Sequence, residues 1–444
     1  MVYAEAMTGG DPSQTKRGFF AALGPGILFA GAAIGVSHLV QSTRAGAVYG
    51  LALVGLVILA HLMKLPAMLF GPRYAAATGR SLLTGYRRQG LWVLGAFGII
   101  QVGTMFTIQA AITLVTAALV GPWIVDPVLG WLGVLGEGKS TPLWIVGAWI
   151  LLMCMGILAQ GGFGWLDTSV KGLMLVMAVG TVVAAAIQLP NLDLSATPVW
   201  PTDFNLPLLL FAVALVGWMP APMDITVWHS LWSLAKNKYT GHRATKRECE
   251  LDFLIGFGLC IVLALAFVVL GASLLYGTSV EHASGSGGFA NKLIGLSTAS
   301  LGEWAKPLIA TCAIAVMAST TITVLDAIPR TMSAFVTVAR GGDETVASER
   351  IRLGYWAWML AIVAGAVLIM SLFTSALGDM VDLATTLSFL GTPLLVWFNH
   401  RAMPSAEIPA EHRPSRGLLA LSWVGIAFWV AFALVFISTW FIRR

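Results

Sequence analysis

Two long apolar runs of this chain are each interrupted by residues that do not suit a continuous membrane helix. The run that begins at Phe19 contains Gly35-Val36-Ser37-His38, and the run that begins at Leu208 contains Pro220-Ala221-Pro222-Met223-Asp224. Broken hydrophobic segments at corresponding positions of two halves are typical of transporters built from repeats, whose substrate site lies between the breaks near the bilayer midplane. The pattern therefore predicts such a transporter.

Composition requires a membrane setting. Of 444 residues, 57% are hydrophobic and only 11% are charged, which leaves too little polar surface for a soluble globule. The formal charge of +5 comes from basic residues that cluster in loops between apolar runs, so it indicates membrane topology and not a nucleic-acid partner. We expect an integral membrane protein in contact with the lipid bilayer.

The apolar runs predict eleven membrane spans, the sixth of them broken. Their bounds are about 19–43, 48–71, 91–120, 142–159, 168–188, 207–232, 252–276, 305–335, 354–374, 382–399 and 417–441. A tight turn that begins at Gln160 is expected between the fourth and fifth spans.

The basic loops give the orientation. The loop after the second span carries several arginines, and the loop after the sixth is the most basic of the protein, so both belong on the cytoplasmic side. The N-terminus is then cytoplasmic and, with an odd number of spans, the C-terminus extracytoplasmic. We expect the protein in a bacterial inner membrane.

Spans one to ten divide into two sets of five, each opening with a broken span. Because five is odd, the second set is inverted relative to the first, as in LeuT-like carriers. We therefore predict an all-α polytopic membrane protein with a LeuT-like 5+5 inverted repeat. The predicted parts are a cytoplasmic tail at about 1–18, a first repeat at 19–188, an outside loop at 189–206, a second repeat at 207–399, and a loop with the eleventh helix at 400–444.

Several short motifs carry a family resemblance. They are Gly24-Pro25-Gly26 at the start of the first span, Ala45-Gly46-Ala47-Val48-Tyr49-Gly50 at its end, Ala77-Thr78-Gly79-Arg80 after the second span, and Ser319-Thr320-Thr321-Ile322-Thr323 in the eighth. With the count of eleven spans, they resemble the Nramp (natural resistance-associated macrophage protein) metal-ion transporters. The resemblance implies a LeuT fold and transport of a metal ion.

The resemblance also shows where this sequence departs from the family pattern. The family places Asp-Pro-Gly-Asn in the first break, where this chain, counted from Gly24, has Gly35, Val36, Ser37 and His38. In the sixth span the family's Met-Pro-His corresponds to Pro222, Met223 and Asp224, counted back from His229-Ser230. The resemblance therefore does not transfer the family's ligand set.

The replacement residues offer a different set of ligands. An imidazole at His38 and a carboxylate at Asp224 can bind a divalent ion if Ser37, backbone carbonyls and waters complete its shell. Oxygen-rich shells without a thioether favour hard ions such as Mg²⁺ or Mn²⁺. We predict a substrate site formed by six residues, with His38 and Asp224 as metal ligands: Gly35, Ser37, His38, Pro222, Met223 and Asp224.

Other interpretations stay open at this stage. Asp224 can instead bind an ammonium or guanidinium group while half-helix N-termini hold a carboxylate, which describes a carrier of an amino acid or amine. The chain can also be a membrane receptor that transports nothing, or the breaks can be simple kinks. No HExxH, GxSxG, P-loop or dinucleotide motif occurs in a suitable context, so we expect neither an enzyme nor a cofactor, and the oligomeric state is left open.

Coupling and gating candidates lie in the sixth and eighth spans, and Lys64 in the second span is expected to be structural. By the resemblance His229 matches a position linked to proton movement, although the third span has no acid to continue the family's proton route. Asp326 and Arg330 are four residues apart on one helix face and can pair or gate. Hydroxyls of Thr320 and Thr321 can bind sodium or their own helix carbonyls, and Lys64 is expected to extend to the membrane interface.

Overall fold

A computed structural model of the chain describes residues 23–136, 138–195, 197–201, 203–277, 305–345, 349–373 and 377–442. Across these ranges the regular structure is entirely helical. The predicted tail at about 1–18 and the last two residues lie outside the described residues.

The first half contains a broken first span followed by long helices. Its elements are α1 (Pro25–Ala33), a π-helical segment (Val36–Ser42), α2 (Thr43–Tyr49), α3 (Val54–Thr78), α4 (Leu82–Gln89), α5 (Leu91–Val120), a second π-helical segment (Gly121–Val125), α6 (Asp126–Trp131) and α7 (Leu143–Gln188). The first break therefore lies at Ile34 and Gly35. Ser37 and His38, which were predicted to belong to the break, lie in the π-helical turn that follows it.

The second half repeats the pattern of a broken span followed by long helices. Its elements are α8 (Leu206–Gly217), α9 (Ile225–Thr240), α10 (Lys246–Leu275), α11 (Ala305–Ala339), α12 (Glu349–Leu372), α13 (Leu377–Ala402) and α14 (Arg416–Ile442). The residues between α8 and α9 form the second break, as the prolines predict, because proline supplies no N–H to the helix.

Ten helical segments of the described chain are long and apolar enough to cross a membrane, and α7 supplies two of them, Leu143–Gln160 and Phe163–Asn191. The broken sixth span is not among them, because α8 has only 12 residues and α9 only 16. Together they fill the place of the predicted sixth span. The total of eleven spans stays a prediction.

The helical turns of α7 continue through the position where a turn was predicted at Gln160. The helix is assigned without interruption from Leu143 to Gln188. Its contacts nevertheless show that the chain reverses within it. Gly147 lies beside Met370, Asp167 pairs with Lys236 at 2.9 Å, and Gly180 lies against Cys312. Met370 and Cys312 lie on the parts of α12 and α11 that are far from Asp326. Lys236, the partner of Asp167, lies one turn after Trp232, which bonds to Asp326. Asp167 therefore lies at the opposite end of the bundle from Gly147 and Gly180.

Glycines bring the first broken span into backbone contact with α10. A Cβ on Gly26 would overlap the Asp252 carbonyl, and one on Gly256 would overlap the Gly26 carbonyl. Gly46 and Gly271 make the same kind of contact nearer the other end of α10. Close approach through glycine is the usual means of packing helices in lipid, and it fixes both sides of the first break against one rigid helix.

Candidate functional site

The first break is closed by a hydroxyl group from α11. After α1 ends at Ala33, the Thr320 hydroxyl lies 2.9 Å from the carbonyls of both Gly31 and Ile34, and its single hydrogen is shared between them and the Val316 carbonyl at 3.1 Å. A Cβ on Gly35 would lie 2.5 Å from the same oxygen. Gly35 is thus required because Thr320 fills the space beside it. The hydroxyl that was predicted to bind sodium therefore lies against the free carbonyls of the break and donates its one hydrogen to this group.

Ser37 and His38 are both committed to hydrogen bonds. The Ser37 hydroxyl lies 2.8 Å from the Ala33 carbonyl and 2.8 Å from His38 Nδ1. The other ring nitrogen, Nε2, lies 3.1 Å from the Cys260 carbonyl. A carbonyl only accepts, so Nε2 carries the hydrogen and Nδ1 holds the lone pair toward Ser37. In this conformation His38 can bind an ion only if the ion replaces the Ser37 hydroxyl at Nδ1.

The second break is closed by an ammonium group from α3. Lys64 Nζ donates to the carbonyls of Val216, Gly217 and Ala221, each at 3.0 Å, and the side chain is fully buried. Lys64 is the eleventh residue of the 25-residue α3, about 15 Å from its start at 1.5 Å per residue. The expectation that Lys64 extends to the membrane interface is therefore wrong.

Asp224 stands unpaired at the start of α9. It is 3% exposed, and neither carboxylate oxygen has a partner in good hydrogen-bonding geometry, although the backbone N–H groups of Asp224 and Ile225 lie nearby. Gln101 of α5 faces it, also with both amide atoms unpartnered, and Lys64 lies within electrostatic range. A buried carboxylate without a partner is costly, so this position is suited to receive a cation or a donor group.

A small cavity lies between the two breaks. It has a volume of about 20 Å³, enough for one water molecule or one bare ion. Its lining includes Ser37, Pro222, Thr320 and two tryptophans, Trp218 and Trp228, whose indole N–H groups have no partner. The remaining lining residues are apolar, so the cavity offers few ligands to a metal ion in this conformation.

His38 and Asp224, the two predicted metal ligands, have different neighbours in this conformation, and their binding of one ion stays a prediction. The His38 ring contacts α10 and lies 6.5 Å, centroid to centroid, from the ring of His61, whereas Asp224 faces Gln101 on α5. Among the described residues no group of three or more His, Cys, Asp or Glu side chains is arranged to hold a metal. Pro222 lines the cavity and Met223 is buried beside it.

The coupling candidates are all engaged in buried contacts. Thr321 Oγ1 donates to the Met317 carbonyl at 2.8 Å and meets the Thr116 hydroxyl at 2.8 Å. Back-bonding to the helix, the simpler alternative for these hydroxyls, is therefore present. His229 Nε2 lies 3.9 Å from Asp252.

Asp326 and Arg330 form the ion pair that their spacing suggests. Arg330 donates to both carboxylate oxygens of Asp326, at 2.6 and 3.0 Å. The same carboxylate accepts from Trp232 on α9 and Tyr355 on α12, each at 2.9 Å. The pair therefore ties three helices together.

The sequence did not predict the contacts of two buried charged residues, Asp252 and Lys64. Asp252 accepts the N–H groups of Gly24 and Gly26 at the start of α1, and Lys64 was assigned to the interface. A lysine in the middle of an apolar span is itself a sign of a functional site, so Lys64 was recognisable. Asp252 sits at the polar start of α10, where nothing in the sequence distinguishes it from a solvated residue.

The family model described as natural resistance-associated macrophage protein-like, or Nramp, matches residues 26–439 of the chain. The chain belongs to the Nramp family. The resemblance read from its motifs is confirmed, and with it a metal-ion transporter, not an enzyme, in the membrane.

Relatives and solved structures agree with this assignment. An uncharacterized protein of Pasteurella multocida (strain Pm70) is 34% identical over 427 residues, 94% of this chain and 92% of that protein. The manganese transporter of Eremococcus coleocola, solved with an aromatic bis-isothiourea substituted compound, has a TM-score of 0.71 at 15% identity, covering 97% of this chain and 89% of that chain. MhsT in complex with L-phenylalanine has a TM-score of 0.62 at 14% identity, covering 92% and 98%. The Nramp chain thus has the predicted LeuT-like fold.

Proposed function

We propose that this Nramp protein is a secondary transporter that moves a divalent metal ion of the Mg²⁺ or Mn²⁺ type by alternating access. The observation that carries the proposal is the buried Asp224 carboxylate, which has no partner in good hydrogen-bonding geometry and lies at the break of the sixth span. A membrane protein retains an unpaired carboxylate at such a place when a cation occupies it during the working cycle.

The proposed ion site differs from the family's ligand set. Asp224 supplies the negative charge, the facing Gln101 amide supplies an oxygen, and retained waters complete a hard-ion shell. His38 and Ser37 join as ligands when their mutual hydrogen bond opens. Gly35, Pro222 and Met223 shape the path between the breaks.

The remaining candidates control movement in this proposal. Thr320 joins α11 to the first span, and Thr321 joins it to α5. A movement of α11 along these neighbours would break the Thr320 contact and release the first break. Two contacts hold α9 in place. His229 on α9 lies beside Asp252 of α10, and the Asp326–Arg330 pair of α11 accepts a hydrogen bond from Trp232 on α9. No acid replaces the family's proton route in the third span, so we propose transport that does not depend on that route.

The repeat division and the orientation complete the proposal. The two inverted repeats are those predicted at about 19–188 and 207–399. The N-terminus faces the cytoplasm and the C-terminus the outside of a bacterial inner membrane, as the basic loops indicate.

A second candidate substrate is a small organic solute, such as an amino acid or amine. It is favoured by the mostly apolar lining of the cavity between the breaks and by the unpartnered indole N–H groups of Trp218 and Trp228. Such donors suit an organic acceptor group better than a metal ion.

The test is entry of Mn²⁺ and Mg²⁺ into proteoliposomes that hold the purified protein and a trapped metal-sensitive dye, with and without a pH gradient. Wild type is compared with Asp224→Ala and with Asp193→Ala, which changes an exposed carboxylate in the loop before α8. Saturable entry that is lost only in Asp224→Ala supports the proposal, and His38→Ala is expected to change the ion preference.

Normal entry through folded Asp224→Ala would overturn the site. If wild type admits no divalent ion but is stabilised against heat by organic solutes, the second candidate is favoured. Ligand binding without flux of any solute would indicate a receptor.

A further inference from the structure

The second break exposes carbonyl groups that the helix itself cannot satisfy. In an unbroken helix the Val216 carbonyl would accept from residue 220, but Pro220 has no N–H. The Val216 carbonyl accepts one bond from Met219 N–H at 3.2 Å, which leaves its second lone pair free. Carbonyls freed in this way are the groups with which broken-helix transporters coordinate small cations.

Lys64 fills this carbonyl cluster completely. Its three ammonium hydrogens match the three carbonyls of Val216, Gly217 and Ala221, each at an N–O distance of 3.0 Å. The fourth side is covered by the ring of Trp429, whose centroid lies 4.8 Å from Nζ. Three oxygens and one aromatic face make a closed coordination shell around a cation.

The eleventh predicted helix has a place in this arrangement. Trp429 belongs to α14, which lies outside the two repeats and packs against α3 and α13. The ring is fully buried and shields the ammonium from lipid. Although α14 is not part of the inverted repeat, its Trp429 completes the shell around the Lys64 ammonium.

We infer that the Lys64 ammonium is a resident cation that permanently occupies a cation site at the break of the sixth span. It replaces a mobile monovalent co-ion at that site, so the break keeps its shape without Na⁺ or K⁺. The inference does not depend on which solute the protein carries.

The test removes the ammonium and offers a small one in its place. Full-length protein in detergent is unfolded by heat as wild type, Lys64→Ala, Lys64→Met and Lys64→Arg, in choline chloride, NaCl, KCl or propylammonium chloride. Propylammonium contains the atoms that Lys64→Ala removes, whereas Lys64→Met fills the same space without a charge. Choline is too large to enter.

For wild type we expect one melting temperature in all four salts. Lys64→Ala is expected to lose about 5 °C or more in choline and to regain at least half of this loss with propylammonium, Na⁺ or K⁺. Lys64→Met is expected to melt lower in every salt, without rescue, and Lys64→Arg to stay near wild type.

A Lys64→Ala protein as stable as wild type, or one that no small cation rescues, overturns the inference. If Lys64→Ala yields no folded protein, a Lys64→Met protein as stable as wild type overturns it, and a destabilised one beside stable Lys64→Arg supports it.

Discussion

The carboxylate of Asp252 accepts the backbone N–H of Gly26 at 2.6 Å, so that α10 holds the N-terminal end of α1. The same carboxylate accepts from Gly24 at 2.9 Å. The N-terminus of a helix carries free N–H groups and a partial positive charge, which a carboxylate stabilises. Since α1 is the first half of a broken span, this contact fixes a helix that would have to move in the proposed transport cycle.

Changing Asp252 should therefore loosen α1 without disturbing the rest of the bundle. Loss of such a cap costs about 1 kcal/mol, so Asp252→Asn is expected to raise hydrogen–deuterium exchange in the amides of Gly26–Ala33 roughly fivefold. The matched control is Glu250→Gln, on the same helix, because Glu250 pairs with Arg73 and does not contact α1. Equal exchange in α1 of the two variants would contradict the role of Asp252.

Gly35 and Thr320 should behave as a coupled pair. Gly35→Ala places a methyl group 2.5 Å from Thr320 Oγ1, and overpacking of this kind costs about 1–3 kcal/mol. We expect a lower melting temperature for Gly35→Ala and partial recovery in the double variant with Thr320→Ala, which removes the clashing atoms. Gly55→Ala is the control, since no atom lies within 4 Å of a Cβ there. If the losses of stability of Gly35→Ala and Thr320→Ala simply add in the double variant, the two residues do not interact.

The sequence predicted the fold well because membrane burial imposes long apolar runs and because proline and glycine mark breaks. The second break lies where Pro220 and Pro222 predict it, since proline removes a helix donor. The partners of the breaks were not predictable. Thr320 and Lys64 meet the free carbonyls from distant helices, and hydropathy contains no information on which helix faces which break.

The proposed orientation can be tested with single cysteines. The four native cysteines are buried, so introduced ones dominate labelling by a membrane-impermeant maleimide. Ser195 and Lys238 are both exposed, in the loop before α8 and near the end of α9. We expect Ser195→Cys to be labelled in intact spheroplasts and Lys238→Cys only after permeabilisation. The reverse result would invert the topology, and labelling of both without permeabilisation would contradict the helix count between them.

Asp326 and Asp343 both pair with an arginine, yet they should differ strongly in their effect on stability. Asp326 is 1% exposed and joins three helices, so Asp326→Asn leaves the Arg330 guanidinium without its carboxylate and is expected to cost about 3–5 kcal/mol. Asp343 pairs with Arg80 in a loop where its side chain is 33% exposed, so Asp343→Asn should cost about 1 kcal/mol or less. Thermal unfolding of the two variants beside wild type measures the difference.

The Asp343 effect should also depend on pH in a defined direction. Hydrogen bonds from the Thr345 side chain and backbone, with Arg80 nearby, hold the pKa of the Asp343 carboxyl below its ordinary value of 3.8. A group whose pKa is lower in the folded state adds stability above its unfolded pKa and loses that stability as the pH falls through the folded pKa. The gap in melting temperature between wild type and Asp343→Asn is therefore expected at pH 7 and should close as the pH falls below 3.8 and through the lower pKa of the folded state. A gap that widens in acid would show that these hydrogen bonds favour the protonated carboxyl.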